Sequence, residues 1–349
     1  MPTSVPLSRR SIVLGIAAGA VAAPAYIRPG WAQGKRLVIC HFGGIEYFAK
    51  RQVLYDPFTK ATGIEIVTTT GPDVAKMKVQ VEHKDVEWDI TEMNDAWVPT
   101  VARMGLLERV DENIVDRTNC IPQAKNDFAV GRAVYSGGIA FPTDRLSGRV
   151  AKTWTDFWDT KRIPGRRGLR NRITDTLEIA LMGDGVTASK VYPCDVERAF
   201  KALDQIKEDV SQWIAQSQQA VSLIQRDEAD FTFAYATRVK KSQESNVPIG
   251  YSFQQNILGI NYSGALKGTR NRDAAMRFLA FTMDRDRQVQ LANLTIDAPS
   301  RTDALPLVDP RVRKWLPDIG NPGNLFTNPE WWVGRVDELN TRFKEWLLT

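Results

Sequence analysis

Cysteine and histidine are scarce in this sequence. Its 349 residues include three cysteines and two histidines. Three cysteines are too few for a dense disulfide framework or a cysteine-ligated metal set, and His41 with His83 cannot form a histidine-rich metal site. We therefore expect no metal ion and no cofactor. At most one disulfide can form, so three separate thiols and a single bridge between Cys120 and Cys194 are both open.

The sequence also lacks a strong excess of charge of one sign. It has 46 basic and 41 acidic side chains, for a formal net charge of +5. Arg9, Arg10 and Arg28 lie in a stretch, residues 1–32, that contains no acidic residue, so the rest of the chain is close to neutral. A nearly neutral protein has no strong electrostatic attraction for nucleic acid, which we do not expect as a partner.

Sequence signatures of common enzymes are absent as well. The chain has no Gly-x-Ser-x-Gly nucleophile elbow and no Gly-x-x-x-x-Gly-Lys phosphate loop. Cys40 and His41 are neighbours in a predicted strand, so their side chains point to opposite faces and cannot act together as nucleophile and base. The sequence therefore predicts a protein that is not an enzyme.

No apolar run is long enough to cross a membrane as a helix. The longest, near the N-terminus, is shorter than the roughly 20 residues that such a helix needs. It follows Arg9 and Arg10, and Gly30 and Ala32 place small residues just before a cut after Ala32. Residues 1–32 are therefore predicted to be a cleaved signal peptide that directs the protein to the periplasm, with an N-terminal membrane anchor as the alternative. The arginine pair resembles a twin-arginine signal, and general secretion is the other route.

Strand and helix patterns alternate along the first half of the chain. Residues 37–40, 64–67 and 88–90 are short apolar runs typical of buried strands, and residues 45–62 and 74–82 show helical spacing. This order is typical of an α/β domain with a largely parallel sheet. The length of the chain suits two such domains.

The same alternation continues towards the C-terminus. Residues 139–141 and 231–235 are predicted strands, and residues 176–182 and 196–206 are predicted helices. After residue 328 apolar residues again recur at helical spacing. The tryptophans in that last segment are therefore predicted to be core residues.

A series of short motifs runs through residues 36–348. In chain order they include FGG at 42–44, FTKATGI at 58–64, WDI at 88–90, GLL at 105–107, TWTDFWD at 153–159, PGRRGL at 164–169, TLEIAL at 176–181 and DELN at 337–340. Their order resembles that of the extracellular solute-binding proteins of polyamine-type (spermidine/putrescine-like) ABC transporters. The resemblance implies an α/β fold of the two-lobed periplasmic binding protein type (type II-like). Each lobe would be a mixed sheet flanked by helices, with a hinge of crossing strands.

The resemblance also implies lobes that are discontinuous in sequence. Lobe 1 would comprise residues 33–140 and 253–300, and lobe 2 residues 141–252 and 301–349. A small solute would bind reversibly in the cleft between the lobes and be delivered to the membrane permease of an ABC transporter. The protein would act as a monomer. Docking of the loaded protein on a membrane receptor is an alternative to transport.

Two loops of lobe 1 supply candidate ligand-binding residues. Phe42, Gly43 and Gly44 lie between a strand and a helix, where glycine lets the backbone approach a ligand and the helix presents free N–H groups. Asn94 and Asp95 follow the third strand, at the end of the sheet where open α/β folds bind ligands. A plain tight turn and helix capping by Asp95 are the alternative interpretations.

Lobe 2 contributes Arg170, Asn171, Tyr235 and Arg238 as candidates. The resemblance implies that polyamine binders supply acids and an aromatic wall from this region. Here Tyr235 can form the wall, but arginines stand where acids are expected, and their planar guanidinium groups suit carboxylate or phosphate. We therefore expect a solute with an anionic group, such as an amino acid or an organic acid.

Two other kinds of solute are alternatives. Binding of putrescine or spermidine follows directly from the resemblance, although a dication would be repelled by Arg170. Ferric-ion binding on the same broad fold favours paired tyrosines, whereas Tyr192, Tyr235, Tyr251 and Tyr262 are isolated in the sequence.

The predicted signal peptide leads to a direct test. We expect the mature protein to be found in the periplasm with an N-terminus near Gln33, because a signal peptidase would cut after the small residue Ala32. N-terminal sequencing of the periplasmic protein measures this. Recovery of uncleaved chain in the inner membrane would contradict the prediction and favour the membrane anchor.

Overall fold

The computed structural model describes residues 36–146 and 148–349. The predicted signal peptide at 1–32 lies outside the described residues. The strands are β1 Arg36–His41, β2 Glu65–Thr70, β3 Ile90–Asn94, β4 Val130–Pro142, β5 Arg167–Arg170, β6 Val210–Ile214, β7 Phe231–Tyr235, β8 Ile249–Tyr251, β9 Ile257–Ala265, β10 Ala298–Pro299 and β11 Leu325–Phe326.

Helices alternate with these strands as the sequence predicted. They are α1 Ile45–Lys50, α2 Asp56–Thr62, α3 Val74–Glu82, α4 Val98–Arg103, α5 Trp154–Trp158, α6 Ile173–Gly183, α7 Val196–Ile206, α8 Gln219–Gln225, α9 Ala236–Glu244, α10 Arg272–Thr282, α11 Arg285–Thr295, α12 Pro310–Arg313, α13 Pro329–Trp332 and α14 Val336–Leu348. In the ranges that the structure describes, no helix has the length and apolar character that a membrane crossing requires.

The strands form one mixed sheet in the order β2-β1-β3-β9-β4-β7-β5-β6. At one end β1 pairs in parallel with β2 and β3, and at the other end β5 pairs in parallel with β6 and β7. Between these groups β9 runs antiparallel to both β3 and β4. The sequence predicted a largely parallel sheet because the antiparallel strands in the middle give no separate signal in the pattern of apolar residues.

Strand β4 passes from one group of strands to the other. Its first part, up to Gly137, pairs with β9, and from Gly137 to Ala140 it pairs with β7. The change of partner lies close to residue 140, where the sequence places the end of the first segment of lobe 1. The lobe boundaries themselves stay a prediction.

Aromatic side chains fill the core against both groups of strands. Near β1, Phe58 of α2 packs edge-on against Phe278 of α10, with ring centroids 5.2 Å apart. Near β7, Phe233 stacks on the fully buried Trp154 at 6.3 Å. Phe343 of α14 is also buried. Each parallel group of strands therefore has helices packed on its own apolar side chains.

Two predicted helices are divided in the structure. The segment 45–62 contains a π-helical turn, Arg51–Tyr55, between α1 and α2. The C-terminal segment begins with the cap at Asn328, whose side chain accepts the Trp331 N–H at 3.3 Å. It then breaks at Gly334, whose φ of 75° lies in the left-handed region, before α14 begins. Of the tryptophans predicted to be core residues, Trp332 is buried, and Trp331 and Trp346 are partly buried and pack against the same core.

The cysteines form no disulfide. Cys40, Cys120 and Cys194 are all free and buried. Of the two alternatives left open by the sequence, the structure has three separate thiols. Burial raises the pKa of Cys40 to about 12, so this thiol is held in its neutral form.

The crossing point at Gly137 leads to a test of packing. A Cβ atom at this position would overlap the ring of Phe233, which Trp154 and Tyr235 hold on either side. We expect Gly137→Ala to lower the free energy of unfolding by about 1–3 kcal/mol, because overpacking forces neighbours out of their rotamers. Denaturant unfolding measures this.

The matched control is Gly320→Ala. The nearest atom to a Cβ there is Asp318 Oδ1 at 3.4 Å, which is ordinary contact. The free energy of unfolding of this variant should stay within about 0.5 kcal/mol of the wild-type value. Equal stability of the two variants would contradict the crowding at Gly137.

Candidate functional site

A cavity of about 840 Å³ opens where several strands of the sheet end. Such a volume is within the range of pockets that bury small molecules. Its charged and aromatic lining residues are Phe42, Glu46, Asp95, Trp97, Tyr135, Arg170, Arg172, Asp175, Glu178, Tyr235, Arg238, Asp297, Trp332 and Asp337.

The ends of parallel strands position the predicted side chains. Strand β3 ends at Asn94 and Asp95 follows it, β5 ends at Arg170, and β7 ends at Tyr235. Open α/β sheets bind ligands at the carboxyl ends of their strands, because the loops there converge while the strands hold them rigidly. The polar residues that end these strands therefore meet in one cavity.

Most of the predicted site residues line this cavity. They are Phe42, Asn94, Asp95, Arg170, Tyr235 and Arg238. Gly43, Gly44 and Asn171 are not among its lining residues. The two glycines have φ values of 78° and 73° and turn the chain into α1, so that Glu46 reaches the cavity instead. The Asn171 side chain is exposed. Contact of any of these residues with a ligand stays a prediction.

The guanidinium group of Arg170 is buried without a partner. The residue is 8% exposed, and its Nε and Nη1 atoms have no hydrogen-bond acceptor among the described residues. Burial, followed by repulsion from Arg172, lowers its pKa. An arginine side chain nevertheless keeps its charge in proteins. A buried cation with free donors requires an acceptor from outside the chain or carries a free-energy cost.

The neighbouring Arg172 is neutralised within the protein. Its Nη2 atom donates to Asp175 Oδ2 and, at 3.1 Å, to the Tyr235 hydroxyl. Asp175 itself has φ 68° and ψ −43°, and the regular turns of α6 follow it from Thr176, where the sequence predicted the helix to start. Because Arg172 and Asp175 cancel, Arg170 is left as the excess positive charge in this part of the cavity.

Asp95 lies buried among donors. It accepts hydrogen bonds from the Thr327 hydroxyl, from the Tyr135 hydroxyl at 3.3 Å and from the Ala96 N–H at 2.9 Å. Burial raises the pKa of Asp95 to about 6, and the hydrogen bonds oppose that rise. The alternative role as helix cap is filled by another residue, since the Asn94 side chain accepts the Trp97 N–H at 3.2 Å. Asp95 is thus free to face the cavity.

Glu178 was not predicted from the sequence. Its Oε1 atom accepts hydrogen bonds from the Tyr192 hydroxyl at 2.5 Å and from Trp332 Nε1 at 2.7 Å, whereas Oε2 has no partner. Burial raises the pKa of Glu178 to about 7. Its position in the apolar run of α6 concealed it, because the pattern of apolar residues does not show that this one acid lines a cavity.

Glu46 and Asp297 were also missed. Glu46 lies in the first turn of α1, two residues after Gly44, so it belongs to the same loop–helix junction as the predicted glycines. Asp297 directly precedes β10 and carries no motif. Only the pairing of β10 with β4 brings it to the cavity. Among the residues that the structure describes, no group of three or more His, Cys, Asp or Glu side chains is placed to hold a metal ion.

Comparison with known proteins gives consistent matches over nearly the whole chain. A family model described as bacterial extracellular solute-binding protein matches residues 54–315. A gamma-aminobutyric acid (GABA)-binding protein of Pseudomonas aeruginosa is 30% identical over 333 residues, which are 92% of this chain and 94% of that protein.

Solved structures agree with this sequence match. A receptor–GABA structure has 33% identity and a TM-score of 0.83, covering 89% of this chain and 97% of its own. The PBP AgtB from A. tumefaciens R10 in complex with agropinic acid has 30% identity and a TM-score of 0.75. The match covers 90% of this chain and 99% of that chain. A spermidine/putrescine-binding protein of Streptococcus pneumoniae, 17% identical with a TM-score of 0.74, shares the fold. The two-lobed α/β fold predicted from the motifs is confirmed.

The buried Glu178 predicts a pH dependence of stability. An acid whose pKa is raised in the folded state binds its proton more tightly there, so its contribution to stability falls as pH rises from the unfolded pKa to the folded one. For Glu178 that window runs from 4.5 to about 7. We expect the difference in unfolding free energy between Glu178→Gln and the wild type to rise in favour of the variant by roughly 3 kcal/mol from pH 5 to pH 8.

Thermal unfolding of the unliganded protein across this pH range measures the effect. Glu208→Gln is the control, because Glu208 is exposed and does not line the cavity. It should follow the wild-type curve at every pH. A Glu178→Gln curve parallel to the wild type would show that Glu178 stays ionised.

Proposed function

The chain belongs to the bacterial extracellular solute-binding protein family, and on that premise we propose that it captures a small amino acid of the GABA type for import by an ABC transporter. The solute carries a carboxylate that pairs with Arg170. It also carries an amino group that faces the acids of the cavity. Binding is reversible and changes no covalent bond.

The unpartnered guanidinium of Arg170 is the observation that carries this proposal. Its Nε and Nη1 donors are free in a buried setting. A carboxylate can accept from two guanidinium N–H groups at once, and such charge-assisted pairs are about twice as strong as neutral hydrogen bonds. The relatives named for GABA and for agropinic acid support a solute of this class.

A polyamine fits the cavity less well. A polyamine carries no carboxylate, so it would leave the buried Nε and Nη1 donors of Arg170 without an acceptor and would bring like charge towards them. Repulsion between like charges at low dielectric costs far more than in water. The likeness to the polyamine-binding protein lies in the fold.

Membership of the family supports a role in delivering the solute to a transporter. Members are solute-binding proteins that deliver small molecules to a membrane permease. We infer that this chain is exported by the segment 1–32, acts as a monomer without enzymatic activity, and closes its lobes over the solute. The passage of β4 between both groups of strands supports a hinge near Gly137.

Replacement of Arg170 separates binding from stability. We expect Arg170→Met to abolish measurable GABA binding and to raise the unfolding free energy of the unliganded protein by about 1–3 kcal/mol, because a buried unsatisfied cation is removed. Isothermal titration and thermal unfolding with and without GABA measure both effects. GABA at 100 times its dissociation constant should stabilise the wild type by roughly 2.7 kcal/mol and leave the variant unchanged.

Arg311→Met is the matched control. The Arg311 side chain is 88% exposed and pairs with Asp309 at 2.8 Å, outside the cavity. This variant should bind GABA like the wild type. Tight GABA binding by Arg170→Met, or tight binding of putrescine that does not depend on Arg170, would overturn the proposal.

A further inference from the structure

A second unpartnered charge lies in the wall of the cavity that β4 and α1 form. Asp297 is 3% exposed, it lines the cavity, and its Oδ2 atom has no hydrogen-bond partner among the described residues. Strand β10 begins at the next residue and runs antiparallel to β4, with Ala298 opposite Val134. This register brings Asp297 beside Tyr135, which also lines the cavity.

The buried charges around Asp297 do not balance. Lys50 pairs with Glu46 at 2.9 Å and with Glu92 at 2.7 Å, and Arg132 lies 3.7 Å from Glu46. With Asp297 included, the acids are Glu46, Glu92 and Asp297. The bases are Lys50 and Arg132, so there is one more acid than there are bases. The two bases already have partners, so Asp297 has no cation of its own. Burial, followed by the nearby Glu46, raises the pKa of Asp297 to about 8.

The unpaired groups at the two walls of the cavity need partners of opposite kinds. One wall holds Arg170, a cation without an anion, and the other holds Asp297, an acid without a cation. A single zwitterion with separated charged groups would provide an anion for Arg170 and a cation for Asp297, whereas a plain carboxylate or a polyamine would serve only one of them.

From this we infer that Asp297 is a specificity-determining residue that binds the amino group of the solute, and that Tyr135 provides the aromatic wall beside that amino group. An ammonium group gains from an aromatic face as well as from a carboxylate. The inference rests on the proposed function and adds to it: the solute spans the cavity, with its carboxylate at Arg170 and its amine at Asp297.

Other charged groups face this subsite and are part of its balance. Glu46 and Lys50 project from α1, and Arg132 projects from β4. Arg238 of α9 lines the same cavity and lowers the pKa of Glu46. In the unliganded protein Asp297 therefore holds a proton near neutral pH, which it gives up to solvent when an ammonium group arrives.

The test compares GABA with butyrate, which has the same carboxylate and carbon chain without the amine. We expect Asp297→Asn to weaken GABA binding at least tenfold and to leave butyrate binding within threefold of the wild type. Asp273→Asn is the control, because the Asp273 side chain is 85% exposed. It should bind both compounds like the wild type.

Proton release gives a second readout that needs no butyrate affinity. Isothermal titrations with GABA at pH 7 in phosphate and in Tris buffer measure proton release from the difference in binding enthalpy between the two buffers. The wild type should release protons, and Asp297→Asn should release fewer. Unchanged GABA binding by Asp297→Asn, equal loss of GABA and butyrate, or no proton release by the wild type would overturn the role of Asp297. A wild type that binds no amino acid at all would instead overturn the proposed function.

Discussion

The buried, unpaired guanidinium of Arg170 is the constraint on which the account of this cavity depends. Several buried charges among the described residues are balanced by a neighbour, as Asp175 is by Arg172 and Lys50 by Glu46 and Glu92. Arg170 has no such neighbour for its Nε and Nη1 atoms. A ligand carboxylate would accept hydrogen bonds from these two atoms. The free energy gained by pairing them would then contribute to binding.

Hydrogen bonds and close packing fix the backbone around Arg170. The Thr176 hydroxyl donates to the Arg170 carbonyl at 3.3 Å, and the N–H of Asn171 donates to the Ile214 carbonyl at 2.9 Å. Gly168, two residues earlier, lies so close to Thr232 that a side chain there would meet it at 2.9 Å. Strand β5 is therefore held between its neighbours, and the backbone that carries the Arg170 side chain has little freedom to move. Preorganisation of this kind reduces the entropy lost on binding.

The sequence allowed some parts of this site to be predicted and concealed others for identifiable reasons. Asp95 could be found because it directly follows a short apolar strand, and Arg170 and Tyr235 because the resemblance marks their region as ligand-binding. Glu178 sits in an apolar helical run, which gives no sign of an acid that lines a cavity. Asp297 reaches the cavity through the pairing of β10 with β4, a contact between segments far apart in the chain. Local patterns carry no information about such a pairing.

A crystal structure of the protein with GABA bound tests the central claim most directly. The account predicts that the GABA carboxylate accepts hydrogen bonds from both Nε and Nη1 of Arg170, and that the lobes close over the ligand. A bound ligand whose carboxylate lies elsewhere, with the Arg170 donors still unpaired, would contradict it.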